Sequence, residues 1–421
     1  MSDNTKQRKY AQDLAIASSC CGVTGETVLT DSAVVILFAS SLGAGDMLSL
    51  LTTSVLPLFN GLFVIPAAFI AAKAGSRKLI SIACIIAALA YFIAPFAPFT
   101  RFPVGLFIGA VLCFSLALPG FISGWFPLLD TFLLPEERTG YLGKMRLCHQ
   151  LSAVLFLLLT SLIIGQTPSM RTMQCVLWCG ALIFTGRLFF IWAIPDLTRG
   201  PASPARKAPE GSGLIRAVKN RELTVFSIYQ FVLNFLICGT IPVATVYMKN
   251  DLALPENRIV MIGGIALAGM SLGYLSAKRL RQKYSLRGLC LAVHLAAMLI
   301  PLLLFFLTGS GDLAACILCL VLVAAAFLMA LSSILCNVWM MDLAAPDNKV
   351  MAMAWSGMFF YCGWGCSRLF PSLFLGRIYP WIETIIPWSP CRTIFLLWAV
   401  LLLPALFLFF RIPRKTEGTP L

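Results

Sequence analysis

Charged side chains are scarce in this chain. Asp, Glu, Lys and Arg make up 12% of 421 residues, roughly half the share of about 25% found in soluble globular chains. No polar stretch is long enough to hold a soluble domain, so a soluble core is excluded. Acids are scarcer than bases, 18 against 32, and histidine occurs only twice. No His-rich metal spacing, glycine-rich phosphate loop or Ser/His/Asp set is present. No enzyme activity, cofactor or metal is therefore expected, and ATP is excluded as the direct source of work.

What is abundant is apolar surface, 59% of the chain. The fifteen cysteines fall almost wholly inside apolar runs (Cys84, Cys113, Cys238, Cys336, Cys362), where a thiol behaves as a small apolar group. Cys316 and Cys319 form a CxxC without a second ligand pair, too weak a pattern for a metal. The reading is an all-α protein of the membrane, because an isolated strand leaves unpaired backbone groups in lipid.

With about 20 apolar residues needed per crossing, twelve spans can be placed, near 15–40, 46–71, 78–98, 104–132, 140–165 and 171–195, then 222–248, 258–278, 287–308, 313–342, 349–376 and 391–412. The first carries Glu26 and Asp31 and lacks a cleavage pattern, so it reads as a retained span. Putting the N-terminus inside assigns 24 of the 32 Lys and Arg to cytoplasmic segments and 6 to outer loops. By the positive-inside rule both termini are expected in the cytoplasm, in the inner membrane of the cell. The same rule accounts for the +14 net charge, so no nucleic-acid partner is expected.

The halves repeat one another. Trp125-Phe126-Pro127-Leu128-Leu129-Asp130, followed by Pro135-Glu136-Glu137-Arg138, recurs as Trp339-Met340-Met341-Asp342, followed by Pro346-Asp347-Asn348-Lys349. Lys73 with Arg77 and Lys78 is answered by Lys278 with Arg279, Arg281 and Lys283. Such duplication marks parallel-repeat transporters. The domain reading is a bundle over 1–195, a Pro/Gly/Ser-rich cytoplasmic linker over 196–221 and a second bundle over 222–421. Arg216, Lys219 and Arg221 suggest a short amphipathic piece on the membrane surface.

Two sixes of spans, a basic linker and basic turns after span 2 of each half resemble the major facilitator superfamily across nearly the whole chain. The family's loop motif, Gly-x-x-x-Asp-Arg/Lys-x-Gly-Arg-Arg/Lys, is met by Lys73, Gly75 and Arg77, while Ala72 stands where the acid belongs. The Pro135–Gly143 run is similar to the span 4–5 turn of many bacterial members of unassigned substrate. The resemblance implies twelve transmembrane helices in two pseudo-symmetric six-helix bundles. It also implies a cytoplasmic gate, here assigned to Lys73, Gly75, Arg77, Asp130, Arg138, Arg146 and Asp342. With the motif's acid missing, Asp130 is the candidate to replace it. The arginine of span 4 and the Gly-Pro signature of span 5 typical of proton-driven exporters are absent.

An ionisable group in hydrocarbon needs a partner or a wet cavity. Glu26 lies eleven residues into span 1, near the midplane, and Asp31 is offset from it by roughly 140°. Either could carry a coupling proton, or both could be satisfied by neighbouring hydroxyls. Arg368 on span 11 falls at a depth similar to Asp31, as a partner for it at an outer gate or anion site, or as a side chain snorkelling to the headgroups. Arg187, two turns from the inner end of span 6, reads as snorkelling. His149 and Gln150 read as anchors near the inner mouth with Asp130, and His294 as a packed residue. Asn60, Gln230, Asn234, Asn337, Tyr361 and Trp364 are cavity candidates that would serve equally as interhelical glue.

The expected function is secondary transport of a small organic solute by alternating access, as proton symport, in a monomer surrounded by lipid. The partners are that solute and a proton. The alternatives are efflux of a hydrophobic or cationic compound, which the Met-rich segments would suit, and a transport-incompetent sensor of the same fold.

Overall fold

The computed structural model describes residues 3–134, 137–195, 197, 211–309, 311–344 and 348–412. Among these the secondary structure is helical, without strands. The first half comprises α1 (Asp3–Thr30), α2 (Ala33–Ser41), α3 (Asp46–Ala74), α4 (Ser76–Ile93), α5 (Pro103–Leu129), α6 (Arg138–Ile164) and α7 (Met170–Ala193). A short α8 (Gly211–Lys219) leads into α9 (Arg221–Ile237), α10 (Thr240–Asn250), α11 (Glu256–Lys283), α12 (Leu286–Phe306), α13 (Asp312–Leu343), α14 (Lys349–Leu373), α15 (Tyr379–Ile382) and α16 (Pro390–Arg411).

Ten segments are long and apolar enough to cross a membrane, α9 and α10 counting as one, and the bent α1–α2 pair makes an eleventh. The twelfth crossing is α14, whose apolarity is diluted by Arg368 and by Gly357, Gly363 and Gly365. Helix starts follow local chemistry. Asn220, Ser169, Ser285 and Ser389 accept hydrogen bonds from backbone N–H groups of the first turns of α9, α7, α12 and α16, satisfying donors that a helix leaves open.

The first span is not the single rod over 15–40 that its apolar run suggests. It begins as a helix at Asp3 and breaks at Asp31–Ser32 with a bend of 40°. The Thr30 hydroxyl donates to the Glu26 carbonyl at 2.7 Å and the Ser32 hydroxyl to the Val28 carbonyl at 3.0 Å. Such back-bonding competes with the helical ladder and bends it. The equivalent span of the second half breaks at Cys238–Gly239, between α9 and α10.

Within the first half α1 packs on α6 and α7, and α5 on α3 and α4; within the second, α13 packs on α11, and α12 on α16. The seam between the halves is formed by α3 against α14 and α6 against α11. Leu162, Phe189, Leu320 and Phe407 are among the large apolar side chains left exposed, as a lipid-facing surface requires.

The two ends of the seam can be told apart by charge. One is the basic end, with Lys73, Arg77, Lys78 and the Lys278–Lys283 run. At the opposite end the halves are tied together. Lys249 of α10 donates to Ser40 of α2, Asn250 to the Asp46 carboxylate at 2.6 Å, and the Glu256 N–H to the Gln166 carbonyl at 3.1 Å. Nearby, burial holds the Asp251 carboxyl above its ordinary range, against a Ser389 hydrogen bond and the Arg392 charge.

Of the linker, residues 196 and 198–210 lie outside the described residues. Its end is helical: α8 lies against α14, where Asn348 donates to the Gly213 carbonyl at 2.8 Å. Ile215, Arg216 and Lys219 face outward.

Candidate functional site

Glu26 faces the middle of the first bundle, where the Arg187 guanidinium from α7 donates to its carboxylate. Arg187 is 1% exposed and Glu26 22%. This corrects the expectation that Arg187 snorkels. The reason is a socket: Gly22, one turn before Glu26, leaves the space the guanidinium fills, and a Cβ there would lie 1.5 Å from Arg187 Nε. Phe121 and Phe184 close the socket, with ring centroids 3.9 and 5.2 Å from Arg187 Cζ, an arrangement that favours a desolvated cation. Gly22→Ala is therefore expected to destabilise the protein by about 1–3 kcal/mol, the usual cost of overpacking. The same change should cost clearly less in an Arg187→Met background. Thermal unfolding of the four proteins in the cycle checks this; equal costs in both backgrounds would remove the socket argument.

Asp31, at the break between α1 and α2, meets Arg368 of α14 across the seam at 2.6 Å. Arg368 is 2% exposed and Asp31 32%. The guanidinium also donates to the Thr53 carbonyl of α3 at 2.9 Å and lies 5.1 Å from the Trp364 ring centroid. Of the two readings offered for Arg368, pairing and snorkelling, the geometry is that of pairing. Gly239, at the break of the second half, abuts the Ser367 carbonyl so closely that a Cβ would sit 2.2 Å from it. Both helix breaks thus converge on the turn of α14 that carries Arg368.

Deeper toward the basic end, Arg146 of α6 lies 5.9 Å from the Tyr274 ring centroid on α11. Tyr361 lies within electrostatic reach of both Arg146 and Glu26, and its ring stacks on Trp364 at 6.4 Å and 16°. His149 and Gln150 do not form one cluster with Asp130. His149 Nδ1 meets the Ser19 hydroxyl of α1 at 3.0 Å, and Gln150 donates across the seam to the Leu267 carbonyl at 3.4 Å.

The neutral candidates divide. Gln230 accepts from Ser356 at 2.8 Å, Asn234 donates to the Gln230 carbonyl at 2.7 Å, and both are buried. Both hydrogen bonds lie within the second bundle. Asn60 is buried with an unpartnered carbonyl oxygen, and Asn337 is half-buried on α13. His294 is fully buried between the Tyr229 hydroxyl (3.1 Å) and the Leu402 carbonyl (3.0 Å), a packed role.

Of the expected gate residues, Lys73, Gly75, Arg77, Asp130 and Asp342 lie on helix ends or turns at the basic end. Gly75, at φ +86°, makes the turn between α3 and α4. Arg77 donates to the Ile191 and Trp192 carbonyls at 3.3 and 2.6 Å, placing a cation on the C-terminus of α7, where the helix dipole favours it. Gly75, Arg77, Leu128, Thr131 and Pro195 border a cleft of about 320 Å³, with Asp130 next in the chain. Lys73 and Asp342 are exposed. Arg138 opens α6, but its side chain lies outside the described residues. Arg146 stands apart from this group, eight residues further along α6.

Sequence reasoning missed Arg187 as a partner and His149 as a neighbour of α1. The available signal was Gly22, four residues before an intramembrane acid and so on the same helix face.

No curated protein matches this sequence. Among solved structures, the nucleoside transporter NupG is similar at TM-score 0.70 and 14% identity, over 96% of this chain and 98% of that one. A bacterial homologue of the human lysosomal transporter Spinster, inward-facing and unoccupied, is similar at 0.67 and 15%, over 97% of each chain. FucP, a transporter in the outward conformation, is similar at 0.65 and 12%, over 97% and 99%. At these identities the likeness concerns the fold. The Major Facilitator Superfamily profile, however, matches residues 15–367, and the chain belongs to that family of membrane transporters.

Proposed function

We propose that the protein is a proton-coupled secondary transporter of a small organic solute, working as a symporter between two alternating states. The observation that carries this reading is a pair of intramembrane acid–guanidinium contacts, Glu26–Arg187 and Asp31–Arg368, in which the arginines are 1% and 2% exposed while the acids are 22% and 32% exposed. A guanidinium keeps its proton at any working pH, so a coupling proton would have to be carried by the acid. The acids are also the more accessible members of the two pairs.

The pairs divide the work by location. Glu26–Arg187 lies within one bundle and can persist whichever way the bundles rock, so it compensates the Glu26 charge on the return of the empty carrier. Asp31–Arg368 joins the bundles and holds the end opposite the basic one shut. The positive-inside rule puts the basic end, and with it both termini, in the cytoplasm of a cell whose inner membrane holds the protein. The state described is then closed outside, the arrangement an inward-open carrier needs. The protein is read as acting as a monomer, since both pairs and the seam lie within one chain.

Efflux of a cation is the weaker reading, because both acids in the path already hold arginines. The test is Glu26→Gln in proteoliposomes. Accumulation driven by a pH gradient is expected to fall to the uncoupled level, while substrate exchange without a gradient continues. Undiminished gradient-driven uptake in this variant would take the coupling role from Glu26.

A further inference from the structure

Among the intramembrane charges described above, arginines outnumber acids by one. Glu26 answers Arg187 and Asp31 answers Arg368, whereas Arg146 has no carboxylate partner among the described residues. Arg146 is eight residues inside α6, about 12 Å from the helix start at 1.5 Å per residue. Its guanidinium stands over Tyr274, itself nine residues inside the basic end of α11. The charge is therefore directed into the seam and not back to the surface. An uncompensated cation at that depth is costly unless it has a task or a partner.

The face of α14 that carries Gly357, Tyr361, Trp364 and Arg368, which lie within about 60° of one another around the helix, has unanswered donors. The indole N–H of Trp364 and Nε of Arg368 are buried without an acceptor among the described residues. Buried donors normally find partners, so this face has hydrogen bonds to offer an acceptor on a guest. Tyr361 links the features, stacked on Trp364 and within reach of Arg146. Gly357, one turn nearer the basic end, has no heavy atom within 4 Å of the place a Cβ would take, leaving room for a molecule's body.

We propose that the transported solute is a small organic monoanion, a carboxylate, with its charge on Arg146 and its body against the Tyr361–Trp364 face of α14. The inference rests on the transport reading and extends it to the substrate class. It also gives symport an electrostatic logic. Counting Arg146, Arg187 and Arg368 against Glu26 and Asp31, the empty interior carries one net positive charge. Adding a proton and a monoanion together leaves that charge unchanged, so both legs of the cycle face the same field. Exchanging a proton for the anion would instead make the two legs differ by two charges.

The experiment is ligand-induced thermal stabilisation of the purified full-length protein, without any gradient. The probes are benzoate, hexanoate and lactate, each set against its neutral amide. A bound solute raises the melting temperature by mass action, and at least one carboxylate is expected to stabilise where its amide does not. Arg146→Gln should weaken that binding by more than about tenfold, the order expected for a lost charged hydrogen bond. Arg146→Lys should retain part of it. Amides as effective as acids, no response to any carboxylate, or a full response in Arg146→Gln would each overturn the proposal. A purely structural Arg146 would lower the unliganded melting temperature in the variant but leave the ligand shift intact, which also counts against it. Because binding is read without a gradient, normal carboxylate binding beside absent proton-driven uptake would remove the coupling mechanism and leave the substrate class standing.

Discussion

Arg187→Met is expected to be the most destabilising single substitution among the intramembrane charges. Removing the guanidinium leaves the Glu26 carboxylate in the bundle without its partner and opens the socket under Gly22. Breaking a buried ion pair from one side costs about 3–5 kcal/mol, chiefly because the remaining charge is uncompensated. The Phe121 and Phe184 faces also lose their cation, an interaction of about 2 kcal/mol when desolvated. The double variant Glu26→Gln/Arg187→Met should recover most of the loss, since a neutral amide has no charge to strand. Apparent melting temperatures of the wild type, both single variants and the double variant measure the effect. A single Arg187→Met variant as stable as the wild type would mean that the pair does not hold the bundle together.

The architecture was legible because lipid allows few solutions. Apolar runs near 20 residues, basic loops on alternate turns and a repeated Trp–Asp–Pro landmark lead to twelve helices in two halves, and the observed ends lie mostly within a few residues of the expected ones. The least legible span was the first, since its break at Asp31–Ser32 depends on hydroxyls of Thr30 and Ser32 turning back onto their own helix. An apolar average does not register that event. The Asp31–Arg368 contact could be anticipated because depth, counted along two helices, is one-dimensional information. Arg187 could not be placed in the same way. Its depth fitted snorkelling equally well, and the deciding fact was a cavity made by a glycine on another helix. The fates of Gln230 and Asn234 turned on which neighbour lay within 3 Å, again a property of packing alone.

The two helix breaks give the fold a place to bend, and Arg368 ties them. Asp31 lies at one break, Gly239 and Cys238 at the other, and both meet one turn of α14. A continuous helix at either position would hold this turn of α14 away from its partners. The breaks serve the arrangement that lets one guanidinium bridge the α1–α2 break and α3 at once through Asp31 and Thr53.

Asp31→Asn should shift the protein toward the state open on the side opposite the basic end. The substitution keeps the shape of the side chain and removes the charge, so Arg368 loses its ionic partner but keeps the Thr53 carbonyl. A charged hydrogen bond of this kind contributes about 1.5–3 kcal/mol, which corresponds to roughly a 10–150-fold change in the ratio of two states. The remaining ties at that end, Lys249–Ser40, Asn250–Asp46 and the Glu256 N–H to the Gln166 carbonyl, are closer to the surface and weaker against water. Hydrogen–deuterium exchange should therefore rise in α2 (Ala33–Ser41) and α10 (Thr240–Asn250), with α4 and α12 unchanged as internal references. The same variant mimics a carrier protonated at Asp31, so lowering the pH on wild-type protein should move exchange in these two segments in the same direction relative to α4 and α12 measured at the same pH. Adding Arg368→Gln to the Asp31→Asn variant should reverse part of the shift, because the bundles can close again over a neutral pair. Unaltered exchange in α2 and α10 of Asp31→Asn would show that the closed end is held by its surface contacts, and the inter-bundle ion pair would lose its place as the lock.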